Sequence, residues 1–394
     1  MKILFLANRI PYPPYRGDKL KIYNLTKRLY PHHELHLLTF TESEEDKNYI
    51  KPLEEIFTKV ATVHLPRWKG AFNCLKGIGS SIPFQVLYFQ SAAMKAKLAD
   101  FLQENSYDAI HVQHLRMSTY LQHQSQLPRI LDLPDAFSLY WKRRQQVEKS
   151  FWKNTFERIE QKRLESFEAI IKDYPMTLVC SQEDLMYLEQ LHSANNLRLL
   201  PNGVDTTTFR YSHHDYSHQH TLLFTGNMDY APNVDAVTFF VDEMLPKVKA
   251  QFPNIQLVIA GQRPIEKVKA LACEYITVTG FVKDLSAMYA AASVVISPLR
   301  FGAGTQNKVL EAMAMGVPVV CTEVGFKGLG IADGDGVFSR KDPQAFIDQL
   351  AALLSDESLR KTTGEKGRKV IEEKFDWDVI TRKLETYFKE VCAL

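Results

Sequence analysis

The chain has 394 residues, of which 45% are hydrophobic and 24% charged, and its formal net charge is +2 at neutral pH. That length allows two domains of ordinary size, and the composition excludes a disordered chain. The near-balanced charge gives no argument for nucleic-acid binding. Five cysteines without a CxxC pair favour reduced thiols in the cytoplasm over a disulfide framework.

The first half of the chain alternates predicted strands with predicted helices. Residues 2–7 form an apolar run that is too short for a secretory signal and is followed by Arg9 and several prolines, so we interpret it as a buried strand. Gly17 opens a predicted amphipathic helix. Further strands are predicted at residues 35–40, 61–65, 109–113, 129–132 and 177–181, and we expect the last of these to close the first domain.

Two segments of this half, residues 67–90 and residues 141–164, mix aromatic residues with lysine and arginine. Such a mixture is typical of a surface that contacts an anionic membrane or a lipid-linked acceptor. The alternative is a set of ordinary, partly buried helices with a solvated basic edge.

Asp132 ends one of the predicted strands, where its side chain would face the ligand-binding edge of the sheet. It is a candidate for orienting or deprotonating an acceptor hydroxyl, but a carboxylate needs a raised pKa for strong base chemistry. The nearby Asp135 could instead simply cap the next helix.

Residues 211–220 are rich in histidine and contain His213, His214, His218 and His220. Metal binding is conceivable from this composition. Because the tract has no cysteine and only Asp215 as a carboxylate, we predict an exposed loop, and we expect no metal in this protein.

The second half repeats the alternation of strands and helices, which is typical of an α/β protein. Strands are predicted at residues 221–225, 257–260, 276–280, 291–297 and 317–321. Helices are predicted at residues 343–354 and 375–391.

The segment RFGAGTQNKVLEAMAMGVPVVC, residues 300–321, carries the strongest local signal. Gly302 and Gly304 make a flexible turn, and Thr305 is a predicted N-cap. A short helix follows and ends at Gly316, which suits the position just after a helix.

Lys308 lies in the first turn of this predicted helix, and Glu311 follows on the same face. A helix N-terminus attracts anions, so the added lysine suits it to a diphosphate. Glu311 is then placed to accept hydrogen bonds from a ribose diol, which predicts a nucleotide-sugar site. The alternative is an ordinary solvated helix pair.

The run LEAMAMGVPVV, residues 310–320, resembles the helix–strand signature of the retaining glycosyltransferases of family 4. Five longer stretches resemble the branch associated with bacterial exosortase/PEP-CTERM systems: GTQNKVLEAMAMG at 304–316, GDKLKIYNL at 17–25, LDLPDAFSLYW at 131–141, LLPNGVDTTTF at 199–209 and FTGNMDYAPNVDAV at 224–237.

The resemblance implies the GT-B fold, in which two Rossmann-like α/β domains face each other across a cleft. It implies an acceptor-side domain at residues 1–200 and a nucleotide-sugar-binding domain at residues 201–374. The helix at residues 375–394 is expected to cross back to the first domain.

The resemblance also implies donor contacts. Relatives approach the donor diphosphate with a glycine loop that matches Gly17 here, and they offer backbone groups to the nucleobase at the position of Val282. The remaining donor candidates lie in two turns, at Gly226 and Asn227 and at Gly304, Thr305, Gln306 and Asn307.

Many relatives place an arginine and a lysine just after the first of these turns, where this chain has Asp229 and Pro232. Without these two cations, we expect Lys308 to do more of the diphosphate binding, and Arg263 is a second candidate for contacting the diphosphate. In many members a histidine of an HxH pattern touches the transferred sugar. Gln113 replaces its second histidine here, so His114 is either the substitute or a structural histidine.

Ala303 stands where the family often has a first glutamate that contacts the transferred sugar, and Gln306 and Asn307 could supply neutral hydrogen bonds in its place. The family implies retention of anomeric configuration. Since no nucleophile is evident, we favour front-face attack by the acceptor, with Asp132 as the fallback nucleophile.

The resemblance therefore implies a cytoplasmic glycosyltransferase for exopolysaccharide or surface-glycan assembly, and the basic aromatic segments add the expectation of peripheral contact with the inner face of the membrane. Its expected partners are a nucleotide-sugar donor and a glycan or lipid-linked acceptor, with no further cofactor. The alternatives are a sugar-nucleotide epimerase of the same fold, a phosphorylase, for which a pyridoxal lysine and a longer chain are missing, and a non-catalytic partner protein.

Overall fold

The computed structural model describes residues 1–147, 150–211, 214–217, 220–302 and 304–393. The chain divides into two compact units. Unit 1 comprises Met1–Asn202 and the chain from Ile380 onward, and unit 2 comprises Gly203–Val379. The family resemblance places these boundaries after residues 200 and 374.

Unit 1 is built on a seven-stranded parallel sheet in the order β3-β2-β1-β4-β5-β6-β7. Its strands are β1 Lys2–Ala7, β2 Glu34–Thr41, β3 Lys59–His64, β4 Ala109–Gln113, β5 Arg129–Leu133, β6 Met176–Val179 and β7 Leu197–Leu199. Its helices are α1 Gly17–Leu29, α2 Lys51–Glu54, α3 Arg67–Lys76, α4 Phe84–Tyr88, α5 Ala92–Glu104, α6 Phe137–Val147, α7 Phe151–Phe167 and α8 Gln182–His192.

Unit 2 contains a six-stranded parallel sheet in the order β10-β9-β8-β11-β12-β13. Its strands are β8 Thr221–Thr225, β9 Gln256–Ala260, β10 Ile276–Gly280, β11 Val294–Ser297, β12 Val319–Cys321 and β13 Val337–Ser339. Its helices are α9 Ala231–Phe239, α10 Leu245–Gln251, α11 Glu266–Lys269, α12 Leu285–Ala290, α13 Asn307–Ala314, α14 Glu323–Phe326, α15 Pro343–Ser355 and α16 Glu357–Val370.

The last helix, α17 Trp377–Cys392, contributes its C-terminal part to unit 1. The Phe388 ring meets Phe5 edge-on at 6.4 Å between centroids, and His33 Nε2 lies 2.9 Å from Glu385 Oε1. This part of α17 therefore helps to cover the first strand of the sheet.

The core of each sheet consists of apolar strand residues that face the covering helices. Ile3–Ala7 of β1 are fully buried, as are Val294–Ile296 of β11. Near-continuous apolar runs are typical of parallel strands, because helices cover both faces of such a sheet. The α/β class predicted from the sequence is confirmed.

Two short strands differ from the prediction. Residues 177–181 were expected to close the first sheet, but β7 follows and pairs with β6 through Thr177 and Leu197. The strand β13 was also not predicted, and it pairs with β12. Both have only three residues, too few for a periodic pattern.

Within the described part of the chain, no helix has the length and apolar character needed to cross a membrane.

Candidate functional site

The helix α13 begins just beyond β11, whose Ser297 pairs with Cys321 of β12. Ligands of open parallel sheets bind at this carboxyl edge. The N-cap is Gln306 rather than the predicted Thr305, because the backbone is still extended at Gln306, with φ −86° and ψ 98°. Gly316 has φ 72°, as expected of a residue that ends a helix.

Lys308 lies in the first turn of α13 and is only 8% exposed. Its Nζ donates to Asn233 Oδ1 at 2.9 Å and lies 5.0 Å from the centroid of the Phe224 ring. Among the described residues, no carboxylate oxygen lies within 4.0 Å of this ammonium. Burial lowers the pKa of Lys308 to about 8, although Glu311 partly opposes the shift.

Glu311 is also drawn into the protein, by a hydrogen bond from a fully buried tyrosine. Tyr289 Oη donates to Glu311 Oε2 at 2.7 Å and lies 2.7 Å from Thr225 Oγ1. Burial raises the pKa of Glu311 to about 7, against the Tyr289 hydrogen bond and the Lys308 charge. The interpretation of Lys308 and Glu311 as a solvated surface pair is therefore wrong.

A small amide network supports the lysine. Asn233 Nδ2 donates to the Asn227 carbonyl at 3.0 Å, and Gln262 Nε2 donates to Asn227 Oδ1 at 2.7 Å. Asn227 was expected in the site from the family resemblance. Asn233 and Gln262 were not, because their contacts join segments that are far apart in the sequence.

Two glycines let the turns after β8 and β9 touch. Gly226 has φ 151° and Gly261 has φ 155°. A Cβ atom on Gly261 would lie 1.7 Å from the Gly226 carbonyl oxygen, so no side chain fits at that position. The close approach places the predicted Gly226–Asn227 turn beside the end of β9.

The other expected donor contacts are more peripheral. Arg263 has a left-handed φ of 56° and lies on the surface, 3.6 Å from Asp229 Oδ2, so its charge is already paired. Val282 is half-buried after β10. Gly304 has φ 72°, and Thr305 and Gln306 lead into the helix that Asn307 begins. Ala303 lies outside the described residues.

Asp132 of β5 does not face solvent as expected. Its side chain is 2% exposed, Lys21 Nζ donates to its Oδ1 at 2.6 Å, and His111 Nε2 lies 3.2 Å from its Oδ2. Burial would raise its pKa, but the Lys21 charge and the His111 hydrogen bond outweigh burial and lower it. A carboxylate held ionised in this way is a weak base, so Asp132 is better described as a structural residue.

His114 is likewise enclosed. It has φ 79°, its Nδ1 accepts from the Arg116 N–H at 3.2 Å, and its ring stacks on Phe137 at 4.7 Å. Burial and the Arg116 charge hold its pKa well below the usual range, which keeps the ring neutral. These contacts favour the structural alternative for His114. Gly17 begins α1, at the turn where it was expected.

Three possible metal ligands of unit 1, Asp135, Cys180 and Asp184, have donor atoms within 4.8 Å of one another. Burial raises the pKa of both carboxyl groups. The like charges of Asp184 and Asp18 raise the pKa of Asp135 further, whereas the Ser181 hydrogen bond partly opposes the shift of Asp184. Cys180 Sγ donates to the Pro134 carbonyl, and Asp184 Oδ2 accepts from Ser181 Oγ at 2.7 Å. Two of the three, Cys180 and Asp184, are therefore already engaged with protein groups. His213 and His218 lie outside the described residues.

Comparison with known proteins identifies several relatives of this chain. Residues 219–356 match the family model of glycosyl transferases group 1, and this stretch contains Lys308 and Glu311. A 44.6 kDa protein in the cps region of Klebsiella pneumoniae is 23% identical over 95% of this chain and 96% of that protein.

Two relatives have named activities. Phosphatidyl-myo-inositol mannosyltransferase of Mycobacterium tuberculosis is 28% identical over 49% of this chain, and the match spans about half, 54%, of that protein. The capsular polysaccharide biosynthesis glycosyltransferase CapM of Staphylococcus aureus is 34% identical over 27% of this chain and 28% of that protein.

Among solved structures, Anabaena Alr3699/HepE in complex with UDP-glucose is similar over 99% of this chain and 100% of that chain, with a TM-score of 0.70 and 16% identity. Such a likeness shows the fold, which is GT-B. Fold and matched domain together define the class: the chain is a glycosyltransferase of the hexosyltransferase type.

Proposed function

We propose that this enzyme transfers a sugar from a nucleotide-diphosphate sugar to a glycan or lipid-linked acceptor during assembly of a surface glycan. The observation that carries the proposal is the buried ammonium of Lys308 at the N-terminus of α13, which has no carboxylate partner among the described residues. A buried cation without a counter-ion is a natural site for an anionic ligand.

The leaving nucleotide gains negative charge as its bond to the sugar breaks. Lys308 and the positive end of the α13 dipole are fixed before the reaction, so they stabilise that charge without reorganising. We therefore propose a reaction in which these groups perform the role that a metal ion has in other transferases.

Glu311 is proposed to bind the ribose diol of the donor. Tyr289 fixes its Oε2, which orients the carboxylate for hydrogen bonds from two neighbouring hydroxyls. Because the pKa of Glu311 is near 7, its carboxyl group is only partly ionised at neutral pH. Hydroxyls of the ligand would donate hydrogen bonds to the ionised carboxylate and so stabilise it.

We further propose retention by front-face attack. The fallback nucleophile, Asp132, is buried and held by Lys21 and His111, which does not suit it to attack an anomeric carbon. The acceptor hydroxyl would then attack on the face from which the nucleotide departs.

The acceptor is proposed to be presented at an anionic membrane surface, on its cytoplasmic side. Trp68, Phe72 and Leu75 form an exposed apolar stripe on α3, at spacings of four and three residues. An identically spaced stripe on α7 comprises Trp152, Phe156 and Ile159.

The two stripes belong to one surface region of unit 1. Phe84, which follows α3, stacks on Phe156 of α7 at 5.8 Å, and the Arg163 guanidinium donates to the Ile78 carbonyl. Exposed basic residues surround them, namely Arg67, Lys76, Lys153, Arg158 and Lys162. Apolar stripes with a basic surround favour binding to anionic lipid.

A thermal-shift screen with UDP-, GDP- and ADP-sugars tests the donor proposal. A ligand at 100 times its dissociation constant adds about 2.7 kcal/mol to the free energy of unfolding, so the correct donor should raise the melting temperature clearly. If no nucleotide sugar stabilises the protein, the proposed donor site is wrong and a non-catalytic partner protein becomes the better explanation.

A further inference from the structure

A buried asparagine in unit 1 has no protein partner in the described structure. Asn8 follows the last residue of β1 and is 0% exposed, yet neither its Oδ1 nor its Nδ2 has a hydrogen-bond partner among the described residues. Buried amide groups are normally satisfied, and an exception in a native fold commonly marks the place of a ligand or water.

Cationic side chains gather beside this asparagine. Leu6 of β1 pairs with Val112 of β4, so the segments that follow these two strands, with Arg9 and Arg116, leave the same edge of the sheet. Asp18 contacts both segments: Arg9 Nε lies 3.5 Å from its Oδ2, and Gln113 Nε2 donates to its backbone carbonyl at 2.6 Å.

Among the residues that the structure describes, Arg116 has no carboxylate partner. Its Nε donates to Gln85 Oε1 at 3.4 Å, its guanidinium lies 5.3 Å from the Phe89 ring centroid, and no carboxylate of the described chain lies within 4.0 Å of it. Burial and the nearby charge of Arg9 lower the pKa of Arg116 to about 10, so it remains a cation at neutral pH.

The nearby charges leave a positive excess. Arg16 and Lys19 add two cations, and burial together with Arg9 lowers the Lys19 pKa. On the acidic side, Asp18, Asp46 and Glu42 are nearby, three acids against four cations, whereas burial and Asp184 raise the pKa of Asp135 well above its usual range. A protonated Asp135 does not offset the cations.

The N-terminus of α1 faces the same turn. This helix has 13 residues, and within the described chain no acceptor is found for the backbone N–H groups of Gly17 and Asp18. Its first turn therefore adds hydrogen-bond donors and a positive dipole end to the arginines.

We propose that Asn8, Arg9, Arg116 and the first turn of α1 form a phosphate-binding site that holds a phosphate group of the acceptor substrate. The donor and acceptor assignment rests on the proposed function. The family resemblance assigns the turn at Gly17 to the donor diphosphate. We assign this cluster to the other substrate instead, because a diphosphate donor already has its counter-charge at Lys308, in the unit that carries the matched transferase domain.

Isothermal titration of the full chain with three probes tests this site. Phenyl phosphate represents the phosphate ester of an acceptor, phenol is its uncharged counterpart, and UDP represents the donor. We expect phenyl phosphate, but not phenol, to bind to the wild-type protein and equally to a Lys308→Ala variant.

Arg116→Gln and Arg9→Gln should each weaken phenyl phosphate at least tenfold and leave UDP binding unchanged. Arg116→Lys keeps the positive charge but loses the paired N–H donors of the guanidinium, so it should lose less affinity than Arg116→Gln. Arg198→Gln changes an exposed arginine of β7 that donates to nearby backbone carbonyls, and it should bind like wild type. Unchanged melting temperatures confirm that the variants are folded.

Two results would overturn the proposal. If Arg116→Gln and Arg9→Gln bind phenyl phosphate as well as wild type, the cluster is not a phosphate site. If they weaken UDP as strongly as Lys308→Ala does, the cluster binds the donor instead. If none of UDP, GDP and ADP binds, the donor proposal is rejected, while the phenyl phosphate result still decides the present one.

Discussion

The ammonium of Lys308 is held by a neutral partner. Asn233 supplies an amide oxygen where a carboxylate would neutralise the charge, and burial lowers the lysine pKa from 10.5 to about 8. Each unit of pKa corresponds to 1.36 kcal/mol, so keeping the ammonium charged costs about 3 kcal/mol in the ligand-free protein. A bound diphosphate would remove that cost, which links burial to affinity.

Glu311 gives a pH-dependent prediction. Its folded pKa of about 7 lies above the unfolded value of 4.5, so the folded state binds an extra proton between those pH values. The contribution of this group to the free energy of unfolding therefore falls as pH rises from about 4.5 to 7. Relative to wild type, Glu311→Gln should gain about 2–3 kcal/mol in the free energy of unfolding between pH 5 and pH 8, measured with urea.

The control is Glu266→Gln, which changes an exposed glutamate of α11 and should show no such pH dependence. Because Gln cannot accept from two hydroxyls, Glu311→Gln should also bind the donor more weakly. A stability difference that stays constant from pH 5 to pH 8 would show that Glu311 titrates normally.

Some of these residues could be predicted from the sequence and others could not. Lys308 and Glu311 follow from local spacing on one short helix. Tyr289 and Asn233, which hold them, come from other helices and meet them only through the fold. Asp132 was expected to be accessible because it lies at the end of a predicted strand. Nothing in the sequence indicated that Lys21, on the distant helix α1, would form an ion pair with it.

At the level of elements, the sheets were predictable because parallel strands are buried on both faces and read as apolar runs. The strands β1, β4, β8 and β10 have the predicted bounds. The missed strands β7 and β13 are edge strands of three residues, whose pairing depends on neighbours that the local sequence does not reveal.

The contact between the turns after β8 and β9 gives a second prediction. Gly261→Ala places a Cβ 1.7 Å from the Gly226 carbonyl oxygen, at a φ of 155° that non-glycine residues rarely adopt. The turns must separate, so we expect a loss of about 3 kcal/mol or more in the free energy of unfolding, measured with urea.

Gly79→Ala is the matched control, since its Cβ would meet nothing within 4 Å and no unusual φ applies there. We expect a change within about 0.5 kcal/mol for the control. Equal stability of the two variants would mean that the turns after β8 and β9 are not in close contact.

For the whole molecule, the exposed stripes on α3 and α7 predict membrane association. Replacing Trp68 and Trp152 together by serine removes two side chains that are 71% and 81% exposed. Co-sedimentation with phosphatidylglycerol vesicles should fall at least about tenfold, since burying one large apolar side chain contributes about 1.5–3 kcal/mol.

Phe281→Ser removes an aromatic side chain that is 59% exposed in unit 2, and this control should bind vesicles like wild type. Undiminished vesicle binding by the double variant would assign the stripes another role, such as contact with a protein.

The rate of sugar transfer by Lys308→Ala, with the donor identified by the screen, tests the central claim most directly. The control, Lys327→Ala, removes an exposed lysine paired with Glu323 at 3.1 Å and should retain wild-type turnover. Loss of the buried ammonium should cost about 3 kcal/mol in transition-state stabilisation, which corresponds to a rate lower by roughly two orders of magnitude. Wild-type turnover by a folded Lys308→Ala protein would contradict the proposed site.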